Sequence, residues 1–138
     1  MIQTAIFPSD APQPIGPYSP AVAFGNLIFI SGQGPMDPAT QTLVGGDITA
    51  QVRQVFANLD ALLKASGSSR SQVLKVSVFL QNLDDFQKMN AVYAEFFQGC
   101  TYPARTTVQA ARLPLDILVE IDMIAFREQG VENIELRN

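Results

Sequence analysis

The spacing of apolar positions changes along the chain, from every second residue in some segments to every third or fourth in others. The longer spacing runs from Ile48 to Leu63, where the apolar residues fall on one face of a helix. Asp47 is placed to cap the start of this helix and Gly67 to end it. The pattern therefore predicts an amphipathic helix that covers a sheet.

A second helical spacing predicts a helix from about Asp85 to Gln98, capped by Asp84 and ended by Gly99. The inward face of this helix is aromatic, but Asn90 puts a polar amide on or beside the apolar stripe. Either a hydrogen bond to a neighbouring loop or a contact with a ligand explains that amide.

Segments of alternating or β-branched residues predict strands around the helices. Gly25-Asn26 is a turn signal between two of these strands, and Gly32 and Gly34 after Ser31 let a ligand approach the backbone. The predicted strands are Met1 to Ile6, Ala21 to Phe24, Leu27 to Ser31, Leu43 to Val44, Val73 to Leu80 with Leu74, Val76, Val78 and Leu80 on one face, Thr106 to Ala111, and Leu118 to Ala125.

Five prolines between residues 7 and 20 exclude regular structure there and predict an extended, ordered loop. Within this loop Gly16-Pro17-Tyr18-Ser19 places an aromatic hydroxyl on a stiff backbone. The ring of Tyr18 either covers the edge of the core or faces a ligand.

The last two strands are predicted to form a hairpin around Leu113-Pro114-Leu115-Asp116. Arg105 would then lie opposite residues 121–125 and reach Glu120, which alternation places on the outer face of its strand among apolar neighbours. The residues allow two interpretations: a structural ion pair or solvated strand face, or a carboxylate-binding arginine beside a water-positioning glutamate.

The composition limits the chemistry. The 138 residues are 47% hydrophobic, enough for one domain with a core, and the net charge of -4 without a basic cluster argues against nucleic-acid binding. The absence of histidine excludes Ser-His-Asp and Cys-His catalysis and imidazole–metal sites. A single cysteine, Cys100, and no signal peptide or long apolar span lead us to expect a cytoplasmic protein without a membrane segment.

The element order β-β-β-α-β-α-β-β predicts an α+β fold, a mixed sheet with two helices packed on one face. We expect a single domain over residues 1–126 and a short polar extension over residues 127–138. Apolar residues such as Leu118 and Ile124 on the other face predict burial against further subunits in a closed ring.

Several separated motifs, in one order over roughly residues 1–126, resemble the signature of the RidA family, also called YjgF/YER057c/UK114. They are Gly16-Pro17-Tyr18-Ser19, Ser31-Gly32-Gln33, Asp37-Pro38, Asn90 with Tyr93 and Phe96-Phe97, Pro103-Ala104-Arg105, and Leu113-Pro114 followed by Glu120-Ile121.

The resemblance implies a homotrimer of chorismate-mutase-like subunits with ligand clefts between them. It implies hydrolysis of reactive 2-imino and enamine acids, such as 2-aminoacrylate and 2-iminopropionate, to a 2-keto acid and ammonia. By motif position Arg105 would bind the substrate carboxylate and Glu120 would hold the attacking water. Tyr18, Ser31, Gly32 and Asn90 would line the cleft. Because an imine carbon is already electrophilic, this chemistry needs no metal or cofactor.

The chain departs from the family pattern in three places. Thr107 stands where many RidA-like proteins carry cysteine, Gly34 stands where an aliphatic residue is common, and the tail is longer. Thr107 is expected to tune the pocket, with no role for a thiol.

Two other functions remain open. One is a deaminase of the same superfamily for a different enamine, such as 2-aminomuconate. The other is a non-enzymatic trimer that senses small acids or binds RNA or protein, although the acidic balance and missing histidines argue against RNA cleavage.

Overall fold

A computed structural model describes residues 2–128. Its elements are β1 (Thr4–Ile6), β2 (Ala21–Phe24), β3 (Leu27–Gln33), β4 (Met36–Asp37), β5 (Thr42–Leu43), α1 (Ile48–Ala65), β6 (Val73–Leu80), α2 (Phe86–Phe96), β7 (Ala104–Gln109) and β8 (Val119–Phe126). Six strands form one sheet in the order β1-β2-β3-β8-β6-β7, and β4 and β5 form a separate two-stranded ladder. Neighbouring strands are antiparallel except β6 and β7, which are parallel.

The first helix begins and ends as predicted. Asp47 Oδ1 accepts a hydrogen bond from the backbone N–H of Ala50 at 3.0 Å, a cap that stabilises a helix by about 1 kcal/mol. Gly67 follows the last turn with a φ of 79°, which favours glycine.

The second helix is shorter than predicted, and Asp84 does not cap it. A 3-10 turn, Leu83–Asp85, leads into α2, and the Asn82 side chain caps that turn by accepting from the Asp84 N–H at 2.9 Å. Asp85 precedes the helix without a capping side-chain bond. Across residues 2–128, no helix has the length and apolar character needed to cross a bilayer.

Both helices cover the same face of the sheet, and the hydrophobic core lies between. Buried side chains of β3, β6 and β8 pack in one cluster with those of α1 and α2. The prediction for β6 is wrong at Leu74, which is 45% exposed. Because the register of β6 against β8 shifts between Val73 and Lys75, Val73 enters the core in its place.

The predicted final hairpin is wrong. The last two strands do not pair, because β6 lies between them and pairs with both. The apolar β6 buries more apolar surface at the centre of the sheet than it would at an edge, whereas the polar β7 lies at the edge. The connection crosses β6 through a turn, Pro114–Asp116, in which Leu115 has a φ of 59°.

The sheet face away from the helices carries exposed apolar side chains, as predicted, and we call it the open face. The two residues named in that prediction, Leu118 and Ile124, are only partly exposed, and Leu118 packs against the core. Phe24, Leu27, Phe29 and Val108 lie on the open face, each between 40% and 48% exposed. Strand pairing puts Phe29 beside Ile124, and Val108 beside Phe79. A bare apolar sheet face of this kind is typical of a subunit interface.

The expected polar extension begins at a buried residue. Arg127 is 6% exposed and donates from Nε to the Gly25 carbonyl at 3.2 Å. Residues 129–138 lie outside the described part of the chain.

Candidate active site

A cavity of about 490 Å³ lies between the proline-rich segment, the end of β3 and the turn before β8. Four predicted site residues line it, Tyr18, Ser31, Gly32 and Glu120, and we call it the Glu120 cavity. The other lining residues include no lysine or arginine and are mostly apolar: Pro12, Gln13, Pro14, Ile15, Pro20, Gln33, Gly34, Met36, Leu43, Pro114, Leu115 and Ile117.

The Glu120 side chain projects from the open face, since it pairs with Phe79 and alternates with the core residues Val119 and Ile121. Burial raises the pKa of the Glu120 carboxyl, and the charge of Asp122 on the same face raises it further. Within residues 2–128, the carboxylate has no ion-pair partner. It is therefore a carboxyl group with a raised proton affinity facing a cavity.

Gly32 supports this carboxylate. A Cβ at position 32 would lie 2.6 Å from Glu120 Oε2 and 2.8 Å from its Cδ, closer than side-chain atoms approach one another. The missing side chain lets the carboxylate lie against the backbone of β3.

Ser31 and Tyr18 hold the proline-rich wall of the cavity. Ser31 Oγ donates to the Ser19 carbonyl at 2.7 Å, which ties the loop to β3. The Tyr18 hydroxyl accepts from the backbone N–H of Ile15 at 3.3 Å, and its ring remains 46% exposed beside the cavity. The ring therefore faces the cavity, one of the two positions that the sequence allows.

Two further predicted site residues, Arg105 and Asn90, line a second cavity of about 350 Å³, whereas Thr107, which was predicted to tune the pocket, lines neither cavity. Arg105 Nη1 donates to Asn90 Oδ1 at 2.8 Å. The guanidinium carbon lies 4.6 Å from the ring centre of Tyr93 and 5.6 Å from that of Phe86. The polar residue in the apolar stripe of α2 thus binds the arginine of β7. The remaining lining residues of this Arg105 cavity are Tyr93, Ala94, Tyr102 and Pro103.

The predicted contact between Arg105 and Glu120 is wrong within one chain. Arg105 pairs with Val76, a core residue on the face covered by the helices, and Glu120 pairs with Phe79, three positions further along β6. Because successive residues of a strand alternate between faces, the two side chains project to opposite sides of the sheet. They line different cavities for this reason.

Arg105 is half-buried and has no acidic partner. Within residues 2–128, its contacts are those with Asn90 and the two rings, and no carboxylate lies within ion-pair distance. A buried cation without a counter-charge is costly, so the site is suited to an anion from outside the chain.

Thr107 lies two residues after Arg105 on the same face of β7, paired with Val78. Its hydroxyl is buried and has no hydrogen-bond partner among the described residues. In residues 2–128, no group of three acidic or cysteine side chains is arranged as a metal site would require.

Two buried amides of α1, to which no sequence prediction gave a role, hold the walls of the Glu120 cavity. Asn58 donates to the carbonyls of Gly34 at 3.2 Å and Met36 at 2.8 Å. Gln51 accepts from the Leu118 N–H at 2.9 Å, two residues before Glu120. The signal was present, since both are polar and lie seven positions apart within the apolar stripe of α1.

The site also places Tyr93 against Arg105, although the sequence predicted Tyr93 only as an inward-facing aromatic of the second helix and as part of a family motif. Its position three residues after Asn90 puts both on one face of α2, next to the same guanidinium. This spacing could have indicated the contact.

Comparison with known proteins agrees with the fold. A "RutC family protein" of Pyrococcus horikoshii is 51% identical over 127 residues, covering 92% of this chain and all of the relative. A "2-iminobutanoate/2-iminopropanoate deaminase" of Dermatophagoides farinae is 47% identical over 118 residues, covering 86% of this chain and 91% of the relative. The crystal structure of E. coli TdcF with bound serine has a TM-score of 0.86 at 40% identity, covering 91% of this chain and 99% of TdcF.

The sequence family described as endoribonuclease L-PSP matches residues 8–127, nearly all of the described chain. The matched range contains both cavities and all the motifs that line them. The chain therefore belongs to the endoribonuclease L-PSP family, also known as the YjgF or RidA family.

Proposed function

We propose that this chain hydrolyses reactive 2-imino and enamine acids to a 2-keto acid and ammonia. The observation that carries the proposal is Arg105, a half-buried cation that faces an open cavity and has no counter-charge among the described residues. The carboxylate of a 2-imino acid supplies that charge, and the planar guanidinium can bind it through two parallel hydrogen bonds.

We further propose that the active assembly is a homotrimer, with each cleft formed by the Arg105 cavity of one subunit and the Glu120 cavity of its neighbour. Arg105 and Glu120 lie on opposite faces of one sheet, so a small acid cannot contact both within one chain. The exposed apolar side chains of the open face supply a surface for the neighbouring copy.

The relatives support the same activity. The Dermatophagoides protein is named as a deaminase of 2-iminobutanoate and 2-iminopropanoate. TdcF was crystallised with serine, which carries the same carboxylate beside a carbon–nitrogen bond.

The chemistry follows from the two halves of the cleft. Arg105 holds the substrate carboxylate. The Glu120 carboxylate of the neighbouring subunit accepts a proton from water, and the water oxygen bonds to the carbon of the N-protonated imine. The C=N electron pair moves to nitrogen and gives a carbinolamine. Glu120 returns the proton to nitrogen, and its regenerated carboxylate accepts the hydroxyl proton as the C–N bond breaks and the carbonyl forms. That proton is passed to the ammonia, which leaves as ammonium.

The raised pKa of Glu120 suits this exchange, because a group that first accepts and then returns a proton works best when its pKa lies close to the pH of the reaction, and burial moves the pKa of Glu120 upward, towards neutral pH. Its cause is burial, with a further contribution from Asp122.

The proposal is tested by making 2-aminoacrylate from serine with a separate pyridoxal-phosphate dehydratase and measuring semicarbazide trapping against pyruvate release. The wild-type protein should divert the intermediate from the trap to pyruvate. Arg105→Ala should lower this activity by at least roughly thirtyfold, since it removes the charged partner of the carboxylate.

Arg53→Ala is the matched control, because Arg53 is an exposed arginine of α1 that pairs with Glu95. It should retain wild-type activity. Equal activity of Arg105→Ala and the wild type, with both folded and in the same assembly, would exclude the proposed role of Arg105.

A further inference from the structure

We propose that Tyr93, assisted by Phe86, is a positioning residue that fixes the orientation of the Arg105 guanidinium, so that its free N–H groups point into the cavity. The identity of the anion as a 2-imino acid rests on the proposed function. The positioning itself rests on the contacts around the guanidinium.

The backbone of Arg105 fixes little of the conformation of its side chain, so other contacts are needed to orient the guanidinium. Arg105 lies on β7, the edge strand of the sheet, and an arginine side chain loses about 2 kcal/mol of rotamer entropy when it is held in one conformation. The hydrogen bond from Nη1 to Asn90 at 2.8 Å fixes one point of the guanidinium but leaves rotation about that point.

The aromatic rings remove the remaining freedom. The guanidinium carbon is 4.6 Å from the Tyr93 ring centre and 5.6 Å from that of Phe86, both within the range of cation–π attraction. The faces of the rings attract the cation, but they accept no hydrogen bond from the N–H groups that lie in the guanidinium plane. Of the five N–H groups of Arg105, Asn90 uses one, and the others remain for an anion.

Tyr93 is itself rigidly held. It is 5% exposed, and its ring lies 4.9 Å from that of Phe97 and 5.8 Å from that of Phe56. Burial raises the pKa of Tyr93 to about 12, so the ring stays neutral beside the cation at physiological pH. Its hydroxyl has no hydrogen-bond partner among the described residues, so the contact with Arg105 is made by the ring.

The test compares Tyr93→Leu, Tyr93→Phe and Phe97→Leu. Phe97→Leu is the matched control, since it removes a ring of the same buried cluster that has no contact with Arg105. The first measurement is the ¹⁵N order parameter of the Arg105 Nε–H group, which needs no ligand. The second is the Kd of 2-oxobutanoate, a product-type acid, by NMR titration.

We expect Tyr93→Leu to lower the order parameter and to weaken 2-oxobutanoate binding by about tenfold. Tyr93→Phe keeps the ring face and should restore both values to within about twofold of the wild type. Phe97→Leu should lower the Tm but change both values far less than Tyr93→Leu does, because the Tyr93 ring remains beside Arg105 and leucine still packs against that ring. In the deaminase assay, the loss in Tyr93→Leu should appear mainly in KM, because the carboxylate contact is made in the ground state and the transition state alike.

An unchanged order parameter in Tyr93→Leu would overturn the inference, as would an equal loss in Phe97→Leu. The proposed function fails separately: if the wild type does not hydrolyse 2-aminoacrylate but Arg105 loses order in Tyr93→Leu, the positioning role stands and the substrate assignment does not.

Discussion

At the scale of single residues, the contact between Gly32 and Glu120 decides where the acid of the site lies. The carboxylate occupies the space that a side chain at position 32 would take, so the two residues are coupled through steric exclusion. Glycine is required here for close approach, since its φ lies outside the positive range.

Gly32→Ala should displace the Glu120 carboxylate and lower kcat for imine hydrolysis by up to roughly a hundredfold, because a shift of about 1 Å in a catalytic group can cost that much. KM should change little, since in the proposed cleft Arg105 of the neighbouring subunit holds the substrate carboxylate, and the atoms nearest to a Cβ at position 32 all belong to Glu120. Steady-state kinetics on 2-aminoacrylate generated in situ checks both values.

Gly45→Ala is the control, because a Cβ at position 45 has nothing within 4 Å. It should match the wild type. Equal kcat values for the two alanine variants would show that the packing of Glu120 on Gly32 is irrelevant to turnover.

Glu120→Gln should raise the Tm at pH 8 and lose this advantage at acidic pH. The pKa of Glu120 is raised in the folded chain, so ionisation destabilises the fold. This cost is fully present above the folded pKa and absent below the unfolded pKa of about 4.3, where both states bind the proton. Thermal melts from pH 4 to pH 8 measure the difference.

Glu95→Gln serves for comparison, as Glu95 is an exposed acid that pairs with Arg53. It should show no gain at pH 8. If Glu120→Gln were no more stable than the wild type at pH 8, burial of the ionised carboxylate would not carry the proposed cost.

At the scale of elements, the sequence predicts well what is local. The spacing of apolar residues in α1, together with Asp47 and Gly67, is enough to place both helix ends. Alternation correctly separates the core-facing and outer residues of β8. Such features depend on neighbours three or four residues away, which the sequence shows directly.

Pairing between strands is harder to predict from the sequence, because it depends on competition among strands far apart in the chain. The turn at Pro114–Asp116 favoured a hairpin of β7 with β8, but the apolar β6 is buried between them. Proximity along the chain was the wrong guide, and the sheet order followed burial.

The sequence indicated six of the residues that line the two cavities, but not Thr107's place outside them and not the arrangement of the two cavities. Family motifs located residues that line the two cavities, whereas the predicted reach of Arg105 to Glu120 depended on the incorrect hairpin. The amides of Asn58 and Gln51 were missed because polar residues in an apolar stripe can be satisfied in many ways, and only the fold shows which carbonyl or N–H they meet.

At the scale of the whole molecule, the open face and the divided site lead to the same requirement. The sheet exposes phenylalanine and leucine side chains on the face that carries Glu120, while Arg105 lies on the other face, on the edge strand β7. Another copy of the chain would cover the open face and would complete the divided site.

Phe29→Lys should break the proposed trimer, because it places a charge in the middle of the open face, beside Ile124. Sedimentation velocity should show monomers, and imine hydrolysis should fall with the loss of assembly. Far-UV circular dichroism should be unchanged, since Phe29 is 44% exposed in the single chain.

Leu83→Lys is the matched control, as Leu83 is similarly exposed at 46% but lies in the turn before α2, outside the sheet. It should remain trimeric. A Phe29→Lys protein that stays trimeric and active would place the interface elsewhere.

The division of Arg105 and Glu120 between two faces also determines how a defective copy would act in a mixed population. In the proposed ring, each chain donates its cation to one cleft and its acid to another. A copy that lacks both Arg105 and Glu120 would inactivate the two clefts on either side of it, although it makes up only a third of the ring. In a mixed population, such copies would therefore lower the activity by more than their share of the chains, while chains carrying complementary single defects would restore one working cleft in every mixed ring.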